Sequence, residues 1–202
     1  MASDLPFSHS RAFRLRRLLN WLPMGFAYAF MYMGRYNLTV AKSALGDLMT
    51  KADFGTIFMV GAITYGCAFL INGPFIDRFG GRRGMLIGVA GSVVANALMG
   101  LVLYGVVNWQ WDLAIIPVFT FLYAVNMYFQ SFGAVAIVTV KAPWFHVRER
   151  GTFSTIFGTI ISAGIYFAFD WGFAVVEATR AGAASEEISG VATMLAAVFG
   201  LG

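Results

Sequence analysis

Residues 73–83 of the chain read GPFIDRFGGRR, a short charged segment between two long stretches that contain no charged side chain. These stretches, residues 54–76 and residues 84–111, are each long enough to cross a bilayer as a helix, which takes about 20 mostly apolar residues. In lipid a helix satisfies its own backbone hydrogen bonds. The pattern therefore predicts two antiparallel membrane helices joined by a tight turn at the membrane surface.

The same pattern extends through most of the chain. Residues 113–140 and 151–169 also lack charge, residues 21–40 contain only Arg35, and residues 188–202 form a shorter apolar run. Of the 202 residues, 12% are charged, about half the share in a soluble domain. We predict an all-α membrane protein with a basic N-terminal segment, residues 1–17, and a six-helix transmembrane domain, residues 18–202. Its sixth helix is expected to be truncated.

The basic residues are concentrated on one predicted side of the membrane. Ten of the 14 precede helix 1 or lie between helices 2 and 3 or helices 4 and 5: Arg11, Arg14, Arg16, Arg17, Arg78, Arg82, Arg83, Lys141, Arg148 and Arg150. Cytoplasmic loops carry such an excess of Lys and Arg. The distribution predicts a multi-pass protein of the cell (inner) membrane with a cytoplasmic N-terminus. It also accounts for the net charge of +4 without a nucleic-acid partner.

Two cytoplasmic loops carry a family resemblance. Residues 73–83 resemble the G-x-x-x-D-R-x-G-x-R-R loop of the major facilitator superfamily, and residues 144–151, WFHVRERG, resemble its W-F-x-x-x-E-R-G element. We expect Gly73 to permit close helix approach and Gly80 and Gly81 to allow unusual backbone conformations. The alternative for the first segment is a generic basic loop.

This resemblance has structural implications. It implies one half of a major facilitator fold, with a three-plus-three inverted repeat. It also implies a gating ion-pair cluster of Asp77, Arg78 and Arg150 that breaks when the conformation changes.

Arg35 is the most informative single residue. It lies about 14 residues, or about 21 Å, into the first apolar run, where a charged side chain is costly and faces protein or an aqueous cavity. Tyr28, Tyr32 and Thr39 follow the same helical face. Because guanidinium matches phosphate and carboxylate geometry, we predict an anion site here. The alternative is a structural Arg paired within the bundle, with Asp170 as a candidate partner.

A narrower resemblance supports the anion site. Tyr28, Tyr32, Arg35 and Asn37 are similar to the first-helix pattern Y-x-x-x-Y-x-x-R-x-N of the organophosphate:phosphate antiporter family, and similar residues recur at 65–66 and 129–130. The resemblance implies a set of substrate-binding residues: Arg35, Tyr28, Tyr32, Thr39, Gln130 and Tyr65. Where glycerol 3-phosphate carriers of that family have Lys and His, this chain has Phe69 and Ile161. The anion is therefore left open between a phosphate ester and another organic anion such as a sugar acid.

Further polar residues occur on the predicted helices. Thr64 and Asn72 on helix 2 and Asn126 on helix 4 are candidates for lining the same cavity. Hydrogen bonding within the bundle is the alternative for each.

Together these features predict a secondary active transporter, or its N-terminal half, that moves a small organic anion by alternating access. The alternatives are a membrane sensor of sugar phosphates and a structural subunit of a membrane complex. We expect no enzymatic activity, no cofactor and no metal site. The expected partners are the lipid bilayer, the anion and a missing C-terminal six-helix half, in the same full-length chain or in a second subunit.

Overall fold

A computed structural model describes residues 10–45 and 48–183 of the chain, and every regular element among them is helical. The elements are α1 (Arg11–Leu45), α2 (Lys51–Phe79), α3 (Gly81–Asn108), α4 (Ile115–Trp144) and α5 (Arg150–Ala183), with a 3-10 turn at Val147–Glu149. α1 begins inside the predicted basic segment. The predicted sixth helix, residues 188–202, lies outside the described residues.

Four helical stretches are long and apolar enough to cross a membrane: Lys51–Phe79, Gly81–Asn108, Ile115–Val140 and Val147–Ala178. The predicted all-helical class is confirmed for the described residues, and these four helices are candidate membrane spans. α1 was predicted to be the first span and is not among them. Its 35 residues include Arg35, Asn37 and several tyrosines, and these polar groups lower its hydropathy.

α4 is the central helix of the bundle. It packs along both α2 and α3, while α1 packs mainly along α5 and also touches α3 and α4. In its most apolar stretch, 56% of the α4 residues are buried, against 33% or less in the other three candidate spans. α4 is therefore the helix from which side chains reach most of the bundle interior.

Two apolar clusters fill the bundle on either side of its middle. One includes Leu38, Phe54, Ile57, Met99 and Phe119. The other includes Ile76, Met85, Phe145, Phe153 and Phe157. Along their helices, Arg35, Asn96 and Gln130 fall between residues of one cluster and residues of the other.

The turn between α2 and α3 consists of Gly80 alone. Its φ of 82° lies in the left-handed region, which glycine adopts without a steric penalty, so the predicted unusual conformation is confirmed for Gly80. The same expectation is wrong for Gly81, which is the first residue of the α3 helix and has no positive φ. Gly80 donates its N–H to the carbonyl of Ile76 at 2.7 Å and accepts from the N–H of Gly84 at 3.1 Å. One residue is thus enough to reverse the chain.

Close helix contacts occur at glycines other than the predicted one. A Cβ added at Gly73 would meet nothing within 4 Å, so the expectation of close approach there is wrong. A Cβ at Gly164 would lie 2.5 Å from the carbonyl oxygen of Ala29, and one at Gly88 would lie 2.9 Å from that of Phe129. Small residues bring α5 against α1 and α3 against α4, as is common for membrane helices.

Candidate functional site

Arg35 projects from α1 into a set of neutral polar and aromatic groups. Its Nε donates a hydrogen bond of 2.6 Å to Oε1 of Gln130 on α4. The guanidinium carbon lies 4.4 Å from the ring centre of Tyr32 and 4.8 Å from that of Tyr65 on α2. At such distances an aromatic ring attracts a cation. Three helices therefore hold the guanidinium group in place.

One end of this guanidinium group lacks an acceptor. Among the described residues, Nη2 of Arg35 is buried and has no hydrogen-bond partner, and no carboxylate forms an ion pair with it. Asp170, the acceptor considered from the sequence, is exposed on α5 beside an open cavity of about 460 Å³. A buried charged donor without an acceptor is costly, so the site is suited to an acceptor supplied from outside.

The tyrosines form a continuous group beside Arg35. The hydroxyl oxygens of Tyr28 and Tyr65 are 3.3 Å apart, and either can be the donor. The ring of Tyr28 also meets that of Tyr32 edge to face, with 5.0 Å between centroids. The structure thus brings together five of the six residues predicted to bind substrate. Thr39, the sixth, lies one turn further along α1 and is partly buried.

Gln130 contacts Arg35 from a fully buried position. Its side chain is 0% exposed, and its Nε2 donates to Oδ1 of Asn126 at 3.0 Å. Nδ2 of Asn126 donates to Oδ1 of Asn96 on α3 at 3.3 Å, and Nδ2 of Asn96 donates to the carbonyl oxygen of Ser92 at 3.0 Å. We call Gln130, Asn126 and Asn96 the amide ladder. Asn96 was not predicted from the sequence. The one feature that could have identified it is an amide side chain within a helix that has no charged residue in residues 84–108.

Other candidate polar residues bond within the bundle. Nδ2 of Asn72 on α2 donates to Oγ of Ser131 on α4 at 2.6 Å, and both side chains are 0% exposed. Thr64 donates to the carbonyl of Val60 in its own helix at 2.8 Å. Asn72 and Thr64 therefore form hydrogen bonds within the bundle, which was the alternative to lining the cavity.

The two positions that depart from the family pattern carry apolar groups near the site. Phe69 is 41% exposed, and its ring lies 6.4 Å from that of Tyr65. Ile161 is partly buried and packs against the cluster that contains Tyr28. Neither adds charge to the surroundings of Arg35.

The predicted gating residues lie at the end of the bundle where α2 ends and α5 begins. Asp77 and Arg78 are exposed, and Nε of Arg150 donates to the carbonyl of Phe145 at 3.3 Å. Within residues 10–45 and 48–183, no ion pair joins Asp77 to either arginine. The predicted cluster is not assembled in this conformation, and its role as a gate stays a prediction.

A different ion pair closes this end of the bundle. Nη1 of Arg17 lies 2.9 Å from Oε2 of Glu149, and the Arg17 guanidinium carbon lies 4.8 Å from the ring centre of Phe145. The contact ties the start of α1 to the link between α4 and α5. It also places the start of α1 at the same end of the bundle as that link.

Comparison with known proteins adds independent findings. Residues 24–176 match the model of the Major Facilitator Superfamily. The chain is 26% identical over 149 residues to the membrane sensor protein UhpC of Salmonella typhimurium. It is 27% identical over 156 residues to a probable hexose phosphate transport protein of Chlamydia trachomatis and 25% identical over 154 residues to a glycerol-3-phosphate transporter of Bacillus subtilis.

These alignments cover most of this chain and a minor part of each relative. They include 74%, 76% and 76% of this chain but 31%, 32% and 33% of the respective relatives. The chain thus spans about a third of the length of these curated relatives. No solved structure matches the chain.

Proposed function

The chain belongs to the major facilitator superfamily, and from this premise we propose that it forms part of a secondary active transporter for a small organic anion. A phosphate ester is the leading class of substrate, and Arg35 is its anchor. The observation that carries the proposal is the buried, unpartnered Nη2 of Arg35, whose guanidinium carbon lies within 4.8 Å of two tyrosine ring centres. Two relatives named for hexose phosphate and glycerol 3-phosphate support the same class.

The surroundings of Arg35 favour an anion over a neutral solute. Its hydrogen-bond partner is an amide and its ring neighbours are tyrosines, so none of them cancels the positive charge. Two unit charges 4 Å apart attract by about 4 kcal/mol at the effective dielectric constant near a protein surface. An oxyanion gains this attraction together with a charge-assisted hydrogen bond.

We infer that transport needs a second six-helix half to complete the substrate cavity. Transporters of this superfamily bind substrate near the membrane midplane between two six-helix halves, and the matched relatives are about three times as long as the aligned region. The second half belongs to the same full-length chain or to a second subunit. Formation and breaking of ion pairs between Asp77 and the arginines Arg78 and Arg150 would then accompany alternating access.

A sensor is the second candidate function. One matched relative is named a membrane sensor protein. A sensor would bind the anion at Arg35 by the same chemistry but would not move it across the membrane. Binding and flux therefore have to be measured separately.

The first experiment measures binding of radiolabelled inorganic phosphate and glucose 6-phosphate to the purified chain in nanodiscs. We expect Arg35→Lys to weaken binding by at least about tenfold, because lysine cannot reproduce the planar guanidinium contacts. Arg16→Lys, at an exposed position on the same helix, is the matched control and is expected to bind normally. Equal binding by unaltered protein and Arg35→Lys would disprove the anchor.

The second experiment separates transporter from sensor. The complete protein is reconstituted in proteoliposomes loaded with phosphate, and uptake of labelled glucose 6-phosphate is followed. Exchange that depends on Arg35 supports transport. Binding without exchange favours the sensor and contradicts the transporter.

A further inference from the structure

We propose that the amide ladder of Gln130, Asn126 and Asn96 is a positioning device for Arg35. It begins at a backbone carbonyl on α3 and fixes which edge of the guanidinium group an anion can reach. This inference rests on the proposed function for its ligand. Its structural core can be tested without that function.

The direction of the ladder is set at its far end. The carbonyl oxygen of Ser92 can only accept, so Asn96 must present its NH₂ group there. The oxygen of Asn96 is then left to face Asn126, which donates to it. The oxygen of Asn126 in turn faces Gln130, which donates with Nε2. Gln130 is left with its oxygen towards Arg35, where it accepts from Nε.

Burial makes this direction hard to reverse. Gln130 and Asn126 are both 0% exposed, so water is not at hand to replace a lost partner. Reversing either amide would set donor against donor or acceptor against acceptor inside the bundle, where unmade hydrogen bonds are costly. The ladder therefore presents an acceptor to α1 and favours a cation at position 35.

The ladder also decides which nitrogens of Arg35 remain for a ligand. Because Nε is engaged by Gln130 and the rings of Tyr32 and Tyr65 lie near the guanidinium carbon, an oxyanion has to approach the terminal nitrogens. Nη2 is the buried one without a partner. The geometry points to end-on binding of a phosphoryl or carboxylate group. Side-on binding through Nε would require the bond to Gln130 to break.

Asn96 also contacts α1 directly. A Cβ added at Gly34 would lie 3.0 Å from Nδ2 of Asn96, and Gly34 immediately precedes Arg35. The far end of the ladder thus packs against the backbone of the helix that carries the cation. Removing the Asn96 amide should loosen Arg35 although Asn96 has no described bond to it.

The first test follows the Nε–H group of Arg35 by NMR of protein labelled with ¹⁵N-arginine. The Arg35 resonance is identified by its loss in Arg35→Lys, and we expect it to exchange slowly with solvent. Asn96→Ala and Asn126→Ala should each speed this exchange by about tenfold or more, as a weakened charged hydrogen bond requires. Asn72→Ala, which removes a buried amide outside the ladder, should leave it unchanged. Unchanged exchange in both ladder variants would overturn the proposal.

The second test measures binding of inorganic phosphate by the same variants. Asn96→Ala should weaken binding by about tenfold if Arg35 loses its orientation, while Asn72→Ala should not. Gln130→Glu keeps an acceptor oxygen for Nε of Arg35 but loses the donor to Asn126 and adds a charge that cancels that of Arg35, so it should abolish phosphate binding. Strong phosphate binding by Gln130→Glu would overturn the proposal.

If the unaltered chain binds no phosphate, the proposed function fails for this ligand and the NMR result alone decides the ladder. If one alanine variant does not fold, the other and Gln130→Glu still decide it.

Discussion

Tyr65 makes two separate contributions to the site. Its ring lies 4.8 Å from the guanidinium carbon of Arg35, and its hydroxyl pairs with that of Tyr28 at 3.3 Å. A ring beside a desolvated cation contributes about 1–2 kcal/mol, and a neutral hydrogen bond contributes about 1 kcal/mol. The ring should therefore matter at least as much as the hydroxyl.

Substitutions at Tyr65 separate these contributions. Tyr65→Phe keeps the ring and should weaken phosphate binding by about fivefold at most. Tyr65→Leu removes the ring as well and should weaken it by a further factor of about ten. Titration of the purified variants with labelled phosphate measures both effects. Tyr166→Leu, at an exposed position on α5, is the control, and equal affinities for Tyr65→Phe and Tyr65→Leu would contradict a role for the ring.

Among single residues, the sequence identifies those that interrupt an apolar run. Arg35 stands out because a charge inside an apolar run is rare, and helical spacing then selects Tyr28 and Tyr32. Asn96 could not be found in this way. Its importance depends on the rotation of α3 against α4, which the order of residues along one helix does not specify.

The contact between α1 and α5 depends on a glycine that the sequence does not distinguish from its neighbours. A Cβ at Gly164 would lie 2.5 Å from the carbonyl oxygen of Ala29, whereas one at Gly158 would meet nothing within 4 Å. Both residues lie on α5, which has several glycines in an apolar run. The prediction for Gly73 was wrong for the same reason, since composition indicates that small residues pack closely somewhere but not which of them meets a neighbour.

Alanine substitutions on α5 test this contact. Gly164→Ala should lower the free energy of unfolding by about 1–3 kcal/mol, because backbone atoms cannot move aside as a flexible side chain can. Gly158→Ala should be neutral or stabilising, since alanine favours a helix over glycine by about 1 kcal/mol. Thermal unfolding of both variants in the same detergent measures the difference. An equal loss of stability in the two variants would contradict the close approach.

For the whole molecule, the charge-free runs predicted the boundaries of α2, α3 and α4 to within a few residues, because membrane-crossing length and charge exclusion are strong constraints. The run predicted for α5 ends at residue 169, whereas the helix continues to Ala183. α1 is less clear. The polar side chains that build the site also lower its hydropathy, so the residues that indicate function weaken the evidence for a membrane span. The pairing of Arg17 with Glu149 was not predicted either, because it joins residues 132 positions apart.

The orientation of the bundle in the membrane is a prediction that single cysteines can test. Alternating helix directions put Phe79 and Val147 at one end of the bundle and Asp112 at the other, and all three residues are exposed. The basic loops should be cytoplasmic. In a Cys67→Ser background, a membrane-impermeant maleimide should therefore label Asp112→Cys in intact cells. It should label Phe79→Cys and Val147→Cys only after the membrane is permeabilised.

The two ways in which this labelling can fail have different meanings. Labelling of Phe79→Cys and Val147→Cys in intact cells, with Asp112→Cys protected, would reverse the orientation and leave the helical bundle intact. Labelling of all three positions from the same side would mean that α3 and α4 do not cross the bilayer. That result would contradict the membrane assignment of the central helix and remove the low-dielectric surroundings in which Arg35 is expected to attract an anion.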